Sequence, residues 1–394
     1  MCRYCPNKYV KKSLDFNRPE FEFLEREDML PFHSSIDGYR KTPLVRLKKL
    51  ADSLGVADIY VKDESHRFNL KSFKPLGASY AIFRFLKRKY ESDQSTKRIT
   101  TFSDLLNIGM GRSYTFTAAT DGNHGKAVAW TARKLAQKAV IYLPEDTAKA
   151  RVRNISDEGA QVILVSGTFD DCVEKCAEDS RKKNWQVIAD TTYQGYDDIP
   201  KFILLGYTTL FKELEHDLHD VKHAGIDMVL LPAGVGGLAA AGTSYYVKKY
   251  GSNRPLLICV EPNEADCYFE SVRRGDGKPL PSRGRLNSIM VGLNCGIPSS
   301  VAWPIIRDGM HMFITISDRY AEQAMRLYAQ NDIVSGESGA SGLAGLVALL
   351  EDKKLLDAKK NIGLTKSSRI LLINTEGDTD PVRYNDILAS RGHK

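Results

Sequence analysis

Apolar and polar positions alternate with two different periods along this chain, and the changes of period mark its elements. Short apolar runs at residues 114–119, 139–143, 162–165 and 185–189 are separated by three segments of helical spacing, which predicts a small parallel α/β unit. Further runs at 228–231, 256–260 and 370–373 predict strands of a second α/β set. A short strand is also expected at Ile59-Tyr60-Val61-Lys62, followed by a helix whose Leu76, Tyr80, Phe83 and Leu86 share one face. Pro200 breaks the pattern ahead of a helix over 202–214, and residues 1–40 read as an arm packed on the body by aromatics such as Phe21, Phe23 and Phe32. The expected fold class is α/β with two domains, open and mostly parallel sheets and flanking helices. The large domain is expected to comprise 1–82 and 206–394, and the small one 83–205. A ligand is expected in the cleft between them, at the carboxyl ends of the strands.

With 394 residues, 42% of them hydrophobic, the chain can bury one or two sizeable cores. Its net charge of +7 comes from scattered Lys and Arg without a dense basic tract, which suits small anionic molecules and argues against a nucleic-acid partner. No apolar run is long enough to span a bilayer and the N-terminus has no signal-peptide pattern, so no membrane partner is expected. Seven cysteines, an odd number in a large chain, point to reduced thiols and the cytoplasm. Cys2-x-x-Cys5 finds no second Cys or His pair at zinc spacing.

Chemistry concentrates in a few loops. In Asn69-Leu70-Lys71-Ser72-Phe73-Lys74-Pro75-Leu76-Gly77, Ser72 can cap the coming helix and Pro75 suits its first turn, so Lys74 stands where a helix begins. That end is electropositive and disfavours a cation, but a lysine that must lose its proton and act as a nucleophile gains from it. Thr120-Asp121-Gly122-Asn123-His124-Gly125 joins a strand to a helix, and its N–H groups can hold a carboxylate. Pro232-Ala233-Gly234-Val235-Gly236-Gly237-Leu238 follows a strand, and its glycines let N–H groups converge on a phosphate. Two cofactors compete for that loop. Gly234-x-Gly236-x-x-Ala239 also fits the dinucleotide fingerprint, with Glu261 placed as a ribose-binding acid. Later come Ser335-Gly336-Glu337-Ser338-Gly339-Ala340, opening a Gly/Ala-rich helix, and Asn374-Thr375-Glu376-Gly377-Asp378-Thr379-Asp380-Pro381 at a strand end.

Ser72-Phe73-Lys74 before a Gly-containing helix, with Gly122-Asn123-His124-Gly125 after it, resembles the fold-type-II family of pyridoxal 5'-phosphate (PLP) enzymes. The motifs keep that family's order from about Thr42 to Pro381. The resemblance implies that Lys74, next to Phe73, carries PLP as a Schiff base and that Asn123 bonds the ring hydroxyl. It places the phosphate on Gly234, Val235, Gly236, Gly237 and Leu238, and Thr375 at the pyridine nitrogen. A hydroxyl there leaves the nitrogen largely unprotonated, which suits elimination. Thr120, Asp121, Gly122 and His124 would bind the substrate carboxylate, and Asp190 a substrate amino group.

Asp121, the Met290 region and the Thr375–Asp380 stretch are similar to the diaminopropionate ammonia-lyases within the family. The implied reaction is α,β-elimination of ammonia from D- and L-2,3-diaminopropionate, the aminoacrylate then giving pyruvate and a second ammonia. Lys74 would serve one enantiomer and a carboxyl in the Asp121 loop, on the opposite face, the other. A serine or threonine dehydratase is the alternative. A nicotinamide dehydrogenase is more remote, because it leaves Lys74, the Asn123 loop and the C-terminal motif unexplained. Cys267 stands where cation-binding members carry an Asp, so no metal site is expected. A small amino-acid substrate and a homodimer complete the expectation.

Overall fold

The structure, a computed structural model, describes residues 2–15, 18–91, 99–109, 113–120, 122–193, 195–220 and 225–390. The chain forms two compact units. One comprises Met1–Glu25, Lys41–His66 and Leu210–Lys394, the other Arg26–Arg40 and Arg67–Thr209. Compared with boundaries at 82/83 and 205/206, the second unit also takes in residues 26–40, 67–82 and 206–209. Packing explains this. Phe32 stacks on Phe83 at 4.2 Å between ring centroids, and a ring nitrogen of His33 lies 2.9 Å from the Leu76 carbonyl oxygen, so residues 26–40 pack along the helix Lys74–Glu91.

Among the described residues, the first unit carries a seven-stranded sheet in the order Arg3–Pro6, Met312–Ile316, Leu256–Pro262, Met228–Pro232, Arg369–Asn374, Asp58–Asp63, Leu44–Arg46. The inner five strands are parallel, and the two short edge strands run antiparallel. Met228–Pro232 and Met312–Ile316 are buried at every position, as central parallel strands must be when helices cover both faces. Their Leu230 and Ile314 join Val61, Ile258, Val260 and Leu372 in the main core, closed by Leu343, Leu346 and Val347 of the helix Ser341–Glu351. The start of the expected arm is an edge strand. Arg3 ties it down through Asp266 at 2.5 Å and Glu270 at 3.3 Å.

In the second unit the described strands make a parallel four-stranded sheet in the order Gln161–Val165, Lys138–Pro144, Thr115–Ala119, Gln186–Val187. The last is only two residues long, though the Ile188 N–H still donates to the Thr117 carbonyl at 2.7 Å. Helices Asn123–Lys134 and Phe169–Lys183 lie against this sheet. The helix Asp198–Asp220 starts before Pro200, which occupies its first turn. The new helix expected from Phe202 thus begins four residues earlier and includes Pro200, since a first-turn N–H has no intrahelical partner to lose. No helix among the described residues is long and apolar enough to cross a membrane.

Candidate active site

The backbone leading to Lys74 is strained. Phe68, Asn69 and Lys71 have φ of 50°, 60° and 62°, three left-handed non-glycine residues within four positions. Such a conformation costs about 1 kcal/mol per residue and persists only where the surroundings impose it. Here Phe68 is pinned against Trp130 with ring centroids 4.8 Å apart, and Lys126 reaches the Leu70 carbonyl at 3.4 Å. The path ends with Lys74 as the first residue of its helix, the ammonium 5.4 Å from the ring centroid of Phe73.

Lys74 Nζ donates to Asp190 Oδ2 at 2.6 Å, and His124 Nδ1 lies 3.9 Å from the same oxygen. Burial pushes the Asp190 carboxyl up, but the adjacent Lys74 charge, then His124, overcome this and hold it well below the usual carboxylate range. His124 Nε2 lies 2.6 Å from the Ile188 carbonyl, so that nitrogen carries a proton, and Nδ1 faces Asp190. The phenol oxygen of Tyr196 donates to the Val187 carbonyl and accepts from the Ala189 N–H, both at 2.9 Å, which fixes the turn ahead of Asp190.

The loop after Thr115–Ala119 is held by a hydroxyl that sequence spacing did not single out for this role. Thr120 Oγ1 accepts from the N–H groups of Gly122 at 3.1 Å and Gly125 at 3.2 Å. Gly122, at φ 152° and ψ −84°, has a conformation that suits glycine, and Asn123 opens the next helix from it. Those two amides are thus occupied within the loop. Asp121 lies outside the described residues. Among the expected site residues, Phe73, Lys74, His124 and Asp190 are brought together in this unit, with Thr120, Gly122 and Asn123 in the loop that carries His124.

In the first unit, Gly234, Val235 and Gly236 follow the strand Met228–Pro232, and Gly237 and Leu238 begin the helix Gly237–Tyr250. No described residue accepts a hydrogen bond from the N–H groups of these five residues. The loop's carbonyls, by contrast, are braced. Tyr268 Oη donates to the Val235 carbonyl at 2.7 Å and fills the space where Gly236, at φ 98°, would carry a Cβ. A Cβ on Gly234 would meet the Gly292 carbonyl oxygen at 3.0 Å and Cys295 Sγ at 3.1 Å. Donors turned out of a cradle too tight for side chains fit a phosphate.

Gly292 N–H donates to Ser338 Oγ and Ser338 N–H to Glu376 Oε1, both at 3.0 Å, which links this cradle to the buried Thr375. Glu337 pairs with Arg383 at 3.1 Å. Among the described residues no cluster of His, Cys, Asp and Glu is arranged to hold a metal ion.

Glu261 cannot serve as a ribose acid. It is fully buried, and its two oxygens accept from the N–H groups of Tyr268 at 2.8 Å and Phe269 at 2.7 Å. Burial raises its carboxyl to about 8, against the pull of those two donors. A carboxyl raised in the folded state stabilises fully below its unfolded pKa, and that stability is lost as pH rises through about 8. Stability should therefore fall between pH 6 and 9 by up to roughly 3 kcal/mol, and Glu261→Gln should flatten the fall. Thermal midpoints of both proteins across that range check this. Parallel curves would show a carboxyl that is ionised throughout.

One unit offers a lysine at a helix start; the other offers a nest of N–H groups that no described residue occupies and a hydroxyl beyond a central strand, and each of these is a group that a phosphorylated aldehyde cofactor would need. The model of the pyridoxal-phosphate dependent enzymes matches residues 36–368, and the chain belongs to that family, with its fold-type-II architecture. It is 40% identical over 367 residues to the diaminopropionate ammonia-lyase of Escherichia coli, covering 92% of this chain and 90% of that one. The crystal structure of the E. coli enzyme in complex with an aminoacrylate-PLP azomethine reaction intermediate superposes with a TM-score of 0.85 at 35% identity, covering 99% of this chain and 97% of that one. Its complex with D-serine gives 0.87 at 36% identity, with the same coverage. The cofactor is PLP.

Proposed function

We propose that this chain eliminates ammonia from 2,3-diaminopropionate, releasing aminoacrylate, which water converts to pyruvate and a second ammonia. The observation that carries the reading is the 2.6 Å pair between Lys74 and Asp190 at the start of a helix. It sets a nucleophilic nitrogen beside an anion able to hold an ammonium group. The relatives' substrate supports the same choice.

Lys74 and Asn123 of one unit would hold the cofactor's aldehyde carbon and ring hydroxyl, and in the other unit the N–H groups of Gly234 to Leu238 would suit its phosphate and Thr375 its ring nitrogen. When bound, PLP supplies an electron sink for the pair left at the substrate's α-carbon. Lys74 Nζ takes the α-proton, and Asp190 receives the β-ammonium. His124 and Thr120 keep the surrounding loop in place. The reading extends to a homodimer working in the cytoplasm. The latter is supported by cysteines that are all free thiols. Parallel assays of pyruvate release from diaminopropionate and serine, and of 2-oxobutanoate from threonine, test it. Turnover of serine or threonine above that of diaminopropionate would make the chain a dehydratase.

A base on one face of the α-carbon can take only the proton pointing towards it. Lys74 serves the L-isomer, and the carboxyl of Asp121 is the base proposed for the D-isomer. A relative's complex with D-serine supports the site's room for that configuration. Asp121→Asn is expected to lose D-activity by about 100-fold or more while keeping most L-activity, measured as pyruvate from each isomer. Equal loss of both would make Asp121 an organiser of the whole site.

A further inference from the structure

Two helices of the second unit cross at very short range. A Cβ on Gly206 would strike the Leu76 carbonyl, and one on Gly77 would come within 2.5 Å of Tyr207 Cε1 and 2.7 Å of its Cζ. Gly206 lets the backbones approach, and the room left by Gly77 is taken by the phenol ring of Tyr207, which lies over the first turn of the Lys74 helix. The ring packs on Phe73 at 4.6 Å between centroids and 59°, and the residue is 1% exposed.

Its hydroxyl is buried and makes no well-formed hydrogen bond among the described residues, although Lys74 is close enough to pull on it. Phenylalanine would fill the same space without leaving a polar atom unmatched, so packing alone does not account for the oxygen. Burial raises the phenol's pKa well above the ordinary value, Lys74 draws it back and Asp190 opposes that, so the hydroxyl stays protonated and these two groups are the charges it feels.

We propose that Tyr207 is a positioning residue for Lys74: its phenol oxygen accepts a hydrogen bond from the ammonium that Lys74 becomes on taking the substrate's α-proton. In that step the α-C–H bond breaks, an N–H bond forms at Nζ, and the electron pair stays on the substrate. Positive charge grows on Nζ as the proton moves. A dipole already fixed by packing stabilises that charge with little reorganisation. Asp190 is the other acceptor within reach, and it is the group assigned to the β-ammonium. Tyr207 supports Nζ when Asp190 is engaged elsewhere. This inference rests on Lys74 being the base, as proposed above.

The test uses Tyr207→Phe together with 3-fluorotyrosine placed at position 207, which keeps the shape but makes the oxygen a weaker acceptor. Expected is a 10- to 100-fold lower kcat in Tyr207→Phe, with KM for diaminopropionate within about twofold and an intermediate kcat for fluorotyrosine. Titration of PLP into the apo-protein, followed by absorbance, and the thermal midpoint should match wild type. A kcat within twofold of wild type in the Phe variant, or fluorotyrosine equal to or faster than tyrosine, overturns the proposal. So does cofactor binding weakened as much as kcat. Should the Phe variant fail to fold, the fluorotyrosine protein decides. Lys74→Ala, assayed alongside, separates the two readings. Turnover surviving there removes the base itself, whereas an inactive Lys74→Ala with wild-type kcat in Tyr207→Phe removes only this inference.

Discussion

Lys74→Ala is expected to lose turnover by about 10⁴-fold or more, because on the proposed reading one nitrogen both holds the cofactor and moves the α-proton. The absorbance of the lysine-bound cofactor should disappear with it. Borohydride reduction of the wild type, followed by peptide mapping, should find the cofactor on the peptide containing residue 74. The variant also strips Asp190 of the cation 2.6 Å away. Burial then acts on that carboxyl against His124 alone, so its pKa should rise, and some stability should go with the lost pair. Both side chains keep 17–18% exposure, so solvent relieves part of the penalty and the variant should still fold. A variant that turns over at the wild-type rate, or a label on another lysine, would move the centre of the site elsewhere.

Most of the parallel sheet was legible because buried parallel strands are nearly continuous apolar runs. Met228–Pro232 and Leu256–Pro262 are such runs, and neighbouring turns bound them clearly. Met312–Ile316 has the same character and follows the turn dipeptide Asp308-Gly309, yet it is not among the expected strands. Arg3–Pro6 and Leu44–Arg46 are too short and too polar to show a period. They exist as strands because an edge was available to pair with, which is a tertiary fact. Pro200 misled for the opposite reason. A local rule about proline holds inside a helix but not in its first turn, and sequence alone did not show where the helix began.

The site divided along the same line. Lys74, the glycine cradle and the Thr120 loop announce themselves through local grammar: a helix entry, closely spaced glycines, a strand-to-helix turn. Tyr268 and Tyr207 could not be found that way. Each acts across a long sequence separation, Tyr268 on Val235 and Tyr207 on the turn at Lys74, and nothing in its own neighbourhood marks it. The available signal was indirect. Gly77, Gly206 and Gly236 each make room for a particular ring or carbonyl, so a glycine within a helix or at its start hints at a bulky neighbour to come. Glu261 shows the reverse error. Its spacing suits a ribose-binding acid, but in the fold both oxygens are spent on the start of the Cys267–Arg274 helix.

Asp190→Asn should raise KM for diaminopropionate by about 10- to 100-fold while changing KM for serine by less than about threefold. The argument starts from the pair seen here. A carboxylate that stays ionised against its own burial does so because an ammonium sits 2.6 Å away. Once Lys74 Nζ is bound to the cofactor it no longer offers that ammonium, and the anion is left with His124 at 3.9 Å. A second ammonium, the β-amino group of diaminopropionate, restores the balance. Serine brings only a hydroxyl, whose single hydrogen bond to the anion gains less than the ion pair of an ammonium does. Asparagine keeps the shape and one acceptor oxygen but not the charge, so the loss should fall on the cationic substrate. Steady-state constants for both substrates, measured on wild type and variant at one pH, decide the matter. A KM that rises equally for both would make Asp190 a brace for Lys74 alone, and the preference for an amine leaving group would have to arise from another residue.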